Sequence, residues 1–244
     1  MSNPINTKEY YDSCIIDCND YDSLMKGHYK FVLDVTEVQK VCLNVHMPRN
    51  VLPKEIEDLS MSWLCPIMQT KVQLGQNILD VGCGAGTECF LASDFVGEKG
   101  KIVGIDPVPL MIEKANFLKQ KYSYSNVNFY VGYANKLNFE NAYFDIITMN
   151  YSFHIEQDKL AALSEAWRVL KDNGLLIIAD SFTPKTGSID IDKGEFFFYA
   201  KGAISVEEFF EMSKKAGFKN CTFNQIVDSN ISENPYFGYM IVEK

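Results

Sequence analysis

The run Ile78-Leu79-Asp80-Val81-Gly82-Cys83-Gly84-Ala85-Gly86-Thr87 sets a carboxylate and three alternating glycines between an apolar strand pattern and the start of a helix. Glycines at such a turn accept positive φ and let a ligand approach the backbone. A second carboxylate, Asp106, closes the run Ile102-Val103-Gly104-Ile105, where it can accept both hydroxyls of a ribose. Four residues after Asn150, His154 offers either a general base for a substrate proton or a structural hydrogen-bonding group. His28 and His46 are weaker candidates of the same kind. The spacing Cys14-x-x-x-Cys18 suits a metal, yet no second Cys or His pair follows at zinc-site spacing, so no metal is expected.

The glycine turn alone is compatible with two nucleotide ligands. A dinucleotide fingerprint wants its third glycine three positions after the second, so that a pyrophosphate can sit on the helix N-terminus. Here position 87 is Thr, and the glycines are Gly82, Gly84 and Gly86. Asp80, two residues before the first glycine, would repel a phosphate and attract the ammonium of a methionine moiety. S-adenosylmethionine is therefore the better fit, while Asp106 serves either nucleoside.

These groups need a scaffold. From Asn77 onward, short β-branched runs alternate with amphipathic stretches, the pattern of a parallel sheet with crossover helices. Strands are expected at Asn77–Val81, Lys101–Ile105, Val127–Gly132, Phe144–Met149, Gly174–Asp180, Asn220–Val227 and Gly238–Glu243. Helices are expected near Thr87–Asp94, Pro109–Lys121, Gln157–Val169 and Val206–Ala216. Ser205 and Glu208 form a capping box for the last of these, and Gly217 stops it. The final two strands have no crossover helix between them and should pair antiparallel. Residues 1–76 break the pattern and hold a helix expected over Pro53–Met61; they read as a helical cap over a pocket, with 77–244 as the ligand-binding domain and the whole as one globular unit.

A formal charge of −9 disfavours nucleic acid, because phosphate neutralisation needs clustered Lys and Arg. The densest basic spots, Lys119/Lys121 and Lys214/Lys215, read as solvated helix faces. No stretch approaches the length of a membrane span, and the first twenty residues lack the basic start and apolar run of an export signal. A cytoplasmic protein without membrane contact is expected, its seven cysteines mostly reduced thiols.

With the glycine turn, the run Phe144-Asp145-Ile146-Ile147-Thr148-Met149-Asn150 and the segment Glu165-Ala166-Trp167-Arg168-Val169-Leu170-Lys171-Asp172-Asn173-Gly174-Leu175-Leu176, the sequence from Asn77 to Lys244 resembles the class I S-adenosylmethionine-dependent methyltransferases. The resemblance implies an α/β, Rossmann-like, seven-stranded and mostly parallel sheet with an antiparallel last strand. It also implies roles: Asp80 and the turn Gly82, Cys83, Gly84 and Gly86 at the methionine end, Asp106 at the ribose, and Pro107 and Met111 flanking the adenine. Gly132-Tyr133-Ala134 occupies the adenine-edge position, where Tyr133 replaces the family's frequent Asp and leaves ring packing and the Ala134 backbone. Asn150 would meet the methionine end through its backbone.

A narrower resemblance, to the arsenite methyltransferases, rests on Lys8-Glu9-Tyr10-Tyr11, Asn44-Val45-His46 and the run from Gly97 to Asp106. That group holds trivalent arsenic on thiolates, two of them just after the fourth strand and in the insert after the fifth. This sequence has Tyr151 and Ser152 at the first place and Phe196 to Lys201 around the second, which points to a changed, organic acceptor. Cys14, Cys18 and Cys42 keep arsenite as the alternative. Tyr10 and Tyr11 would close over the cofactor, or anchor the N-terminus to the core. Tyr151 and the aromatic run Phe196-Phe197-Phe198-Tyr199 would wall the acceptor pocket, the run serving otherwise as the core-packed face of an added helix. Two rivals stay open: a cofactor-binding protein without turnover, and a nicotinamide oxidoreductase.

Overall fold

The computed structural model describes residues 51–60, 64–183, 202–225 and 236–244. Tyr10, Tyr11, Cys14, Cys18, His28, Cys42, His46 and the run 196–199 lie outside the described residues. In chain order the elements are α1 (Lys54–Glu57), a 3-10 turn (Pro66–Gln69), β1 (Asn77–Val81), α2 (Thr87–Val96), β2 (Lys101–Asp106), α3 (Pro109–Lys121), β3 (Val127–Val131), β4 (Phe144–Asn150), α4 (Lys159–Val169), β5 (Leu170–Phe182), α5 (Val206–Ala216), β6 (Asn220–Gln225) and β7 (Tyr236–Glu243).

The strands form one sheet in the order β3-β2-β1-β4-β5-β7-β6. Six strands run in one direction, β1 to β5 pairing parallel, and β7 is inserted antiparallel between β5 and β6. The near-continuous apolar runs of the central strands follow from covering both faces of the sheet. Alternate side chains sort accordingly: Ile78, Ile102, Ile146 and Ile177 join one core with α2 and α3, while Leu79, Val103, Ile147 and Ile178 join the other with α4 and α5.

The helix ends follow local chemistry. Asp158 caps α4 by accepting the Ala161 N–H at 3.0 Å, which starts that helix two residues later than the periodicity suggests. Ser205 accepts the Glu208 N–H at 3.1 Å and Gly217 ends α5 at φ +110°, as expected. β5 is longer than expected because it begins directly after α4 at Leu170 and shifts register between Phe144 and Ile146 on its neighbour.

The expected helix Pro53–Met61 is corrected to the four residues of α1. So short a helix gains almost nothing from its own ladder; it is held from outside. Ile56 is fully buried, Glu57 turns back to accept the N–H groups of Val51 and Leu52, and Glu55 meets Lys114, Lys121 and Tyr122. From there the chain crosses the carboxyl ends of the strands as a strap over 51–60 and 64–69, meeting α3 at one end and β7 at the other, where Cys65 N–H donates to Tyr239 Oη at 3.2 Å. Among the described residues no helix is long and apolar enough to cross a membrane.

Candidate functional site

The site lies where parallel strands expose their carboxyl ends on both sides of β1, the place at which open α/β sheets bind ligands. β1 delivers Asp80 between Gly104 of β2 and Thr148 of β4. Thr148 Oγ1 donates to Asp80 Oδ1 at 2.9 Å, and the Cys89 thiol reaches Oδ2 at 3.4 Å. Burial drives the Asp80 pKa up to about 6 against these two bonds, with Asp106 adding a smaller upward push.

The glycine turn then folds over β2. Gly86 sits at φ +89°, and a Cβ there would lie 2.5 Å from the Phe129 ring. Gly84 is also left-handed, yet a Cβ on it would meet nothing within 4 Å among the described residues, so its face is open to a ligand. The turn's own amides are largely committed: Gly82 and Cys83 donate to Ile105 O, Gly84 to Asp106 Oδ2, and Gly86 to Cys83 O. A pyrophosphate needs free N–H groups and positive charge at this point. It would meet instead Asp80 and a second buried carboxylate, Glu88, in the first turn of α2.

Asp106, at the end of β2, accepts the N–H groups of Gly84 and Val108, both at 2.9 Å. Burial raises its pKa against those bonds. A carboxylate has about four lone-pair sites, so two remain for hydroxyl donors. Pro107 beside it is exposed, whereas Met111 is buried in the first turn of α3. Tyr133 stands exposed at 59% and Ala134 packs half-buried against the core. The Cys83 thiol turns inward with Cys89 to cover Gly104, where a Cβ would lie within 3 Å of both sulfurs. Only the Cys83 backbone faces the turn's open side. Burial pushes both thiols up, so they stay protonated.

Sequence reasoning missed Glu88. Its Oε1 accepts the Ile67 N–H of the strap at 2.6 Å and its Oε2 the Asn150 amide at 3.2 Å. Burial, then the nearby Asp80, push its pKa well above the usual carboxylate range. The signal was an acid inside the otherwise apolar run of α2, where a lone charge must have a reason to be buried. Asn150 also donates to Leu64 O at 2.8 Å, so its side chain, unassigned from the sequence, anchors the strap. Thr87, read only as a missing glycine, pins the same strap through Ile56 O at 3.1 Å.

Beyond β4 the chain turns sharply at Tyr151, φ +51°. Its ring packs with Leu64, Ala179 and Tyr239 and lies near Phe237 (5.9 Å between centroids) and edge-on to His154 (6.3 Å). Ser152 Oγ donates to Val81 O, holding this loop against Gly82. His154 is buried, with Nδ1 2.7 Å from Asp180 Oδ1 at the carboxyl end of β5. Asp180 was also missed; an ionisable residue at the end of a central parallel strand was the available signal. Among the described residues the thiols nearest this rim, Cys65, Cys83 and Cys89, are buried, and no group of three acids, histidines or cysteines could hold a metal.

Residues 73–189 match the family model described as "Methyltransferase domain". The matched stretch runs from just before β1 to beyond the end of β5 and takes in Asp80, the glycine turn, Asp106, Asn150 and His154. The chain is 39% identical over 115 residues to the arsenite methyltransferase of Homo sapiens, covering 43% of this chain and 31% of that protein. It is 34% identical over 130 residues to the demethylmenaquinone methyltransferase of Lactococcus lactis, covering 53% of this chain and 50% of that one. The chain thus spans half or less of the length of these curated relatives. The crystal structure of an arsenic(III) S-adenosylmethionine methyltransferase from Chlamydomonas reinhardtii superposes with TM-score 0.63 at 25% identity, covering 79% of this chain and 70% of that one. After its fourth strand this chain carries Tyr151 and Ser152.

Proposed function

We propose that this chain is an S-adenosylmethionine-dependent methyltransferase acting on a small organic molecule. The observation that carries this reading is the pair Asp80 and Asp106 on either side of a glycine turn whose Gly84 face is open among the described residues and whose amides are largely bonded. Such a turn suits a zwitterionic amino acid joined to a nucleoside and does not suit a diphosphate. Asp80, Gly82, Cys83, Gly84 and Gly86 hold the methionine end, the last four by backbone. Asp106 takes the ribose hydroxyls, Pro107, Met111, Tyr133 and Ala134 border the adenine, and Tyr11 of the N-terminal segment is a further cofactor contact. Asn150 fixes the methionine end from β4.

The sulfonium supplies an already activated methyl group, so the chain's own task is to hold the acceptor in line, exclude water and manage any proton. Tyr151 and His154 are the acceptor-side residues. An aromatic wall in place of thiols favours an organic nucleophile over arsenic. The protein works in the cytoplasm, on metabolites rather than on nucleic acid.

The test is calorimetric binding of S-adenosylhomocysteine beside NADH, followed by incubation with methyl-labelled S-adenosylmethionine, a small-molecule extract, and arsenite with thiol. Binding of the first ligand alone and label on an organic product support the reading. Label on arsenic restores the arsenite assignment, and tight binding without transfer to any acceptor leaves a non-catalytic binder.

A further inference from the structure

Asp180 is fully buried at the carboxyl end of β5, and its contacts converge on one loop. Its Oδ2 accepts the backbone N–H groups of both Phe153 and His154 at 3.0 Å. Its Oδ1 accepts the Ser181 N–H at 2.8 Å and lies 2.7 Å from His154 Nδ1. One carboxylate therefore fixes both the main chain and the ring of the same histidine. The ring contact is close but misses hydrogen-bond geometry, so Nδ1 is buried beside the carboxylate without a hydrogen-bond partner among the described residues. A bare Nδ1 would set its lone pair against the carboxylate at that distance, so the contact favours the tautomer with its proton on Nδ1. The other ring nitrogen, Nε2, is buried and has no hydrogen-bond partner among the described residues. A buried polar atom left without a partner needs an explanation, and a ligand is one. Lys159 adds its charge from α4 by donating to His154 O at 3.0 Å, and the Tyr151 ring stands edge-on to the imidazole.

We propose that Asp180 is the positioning residue that keeps the His154 proton on Nδ1, leaving Nε2 as the base for an acceptor whose nucleophilic atom must shed a proton, an amine or a hydroxyl. The inference rests on the methyltransferase reading. As the acceptor's lone pair takes the methyl group, the electron pair of the broken carbon–sulfur bond stays on sulfur. The proton of the acceptor nitrogen or oxygen moves to Nε2 and then to solvent. An arsenite–thiol adduct attacks through a lone pair with no such proton and gains nothing from the dyad.

The chain has three histidines, so the test is direct. Long-range proton–nitrogen NMR on the labelled protein, with His154 signals assigned by their loss in His154→Gln, reads which ring nitrogen carries the proton. The expected result is Nδ1 protonated and Nε2 bare in the neutral ring of the wild type, with Asp180→Asn abolishing that preference. A proton on Nε2 in the wild type overturns the inference whether or not the variant folds. Label transfer to ethanolamine, a catechol and arsenite with glutathione is the second readout. His154→Gln should lower kcat on the amine or hydroxyl acceptor by about 100-fold or more at similar KM, and transfer confined to arsenite also overturns it. Calorimetry with S-adenosylhomocysteine separates the two failures. No binding sinks the methyltransferase reading itself, whereas binding with a protonated Nε2 sinks the dyad alone.

Discussion

The two halves of the site are made differently. On the β1–β2 side, Asp80, the glycine turn and Asp106 occupy 27 consecutive positions and act through backbone shape and two carboxylates. On the β4–β5–β7 side, Tyr151, His154, Asp180 and Tyr239 are side chains gathered from distant strands. The first half constrains what the main chain can do and tolerates almost no change. The second depends on which side chains meet, so it can change its occupant without disturbing the sheet.

The sharpest way to break that contrast is Gly86→Ala. A side chain at φ +89° adds about 1–2 kcal/mol of backbone strain and forces the Phe129 and Phe90 rings apart, another 1–3 kcal/mol. Calorimetry should show Tm falling by roughly 6–12 °C. Gly84→Ala, at φ +52°, carries the backbone strain but meets no described neighbour, so it should lower Tm less than Gly86→Ala does and also weaken S-adenosylhomocysteine binding; equal Tm losses in both variants would refute the open face. Next in size, Asp106→Ala removes a charged acceptor and should cost about 10- to 100-fold in that affinity, read by titration.

Asp80 sharpens the comparison through pH. Its pKa in the folded chain is about 6 against 3.8 for the free residue, so between those values the folded state holds the extra proton. Stability therefore falls as pH rises through that window, and above it the penalty is on the order of 2–3 kcal/mol. Asp80→Asn should raise Tm by several degrees at pH 7.5, with the gain shrinking toward pH 4, while cofactor affinity drops. A variant less stable at pH 7.5 would show that the carboxylate is not strained by burial. The smallest effect belongs to Glu55. The bonds from Lys121 and Lys114 hold its pKa near 2, so what it contributes is present above about pH 4.5 and lost as pH falls toward 2. Glu55→Gln should lower Tm only slightly at neutral pH, and the difference should vanish in high salt.

The same division explains what could be read from the sequence. β1, α3 and α5 match the expected bounds residue for residue, because β-branched runs and caps are local signals. The antiparallel pairing of β6 with β7 was also legible, from the missing crossover. Glu88 and Asp180 were not. The partners of Glu88 are 21 and 62 positions away and that of His154 is 26 away, distances no local pattern encodes. α1 was overestimated for the opposite reason: its sequence suits a helix, but its conformation is set by docking onto α3.

The insertion of β7 between β5 and β6 bears on how the chain is made. A ribosome releases β1 to β5 first, and these can pair in order as they emerge. β5 then waits with one edge bare, and β6 has no neighbour at all, until residues 236–243 leave the exit tunnel. The seven-stranded sheet therefore closes in a single late event, and a nascent chain stalled before Tyr236 presents the bare edge of β5 and a wholly unpaired β6 segment to the chaperones around it.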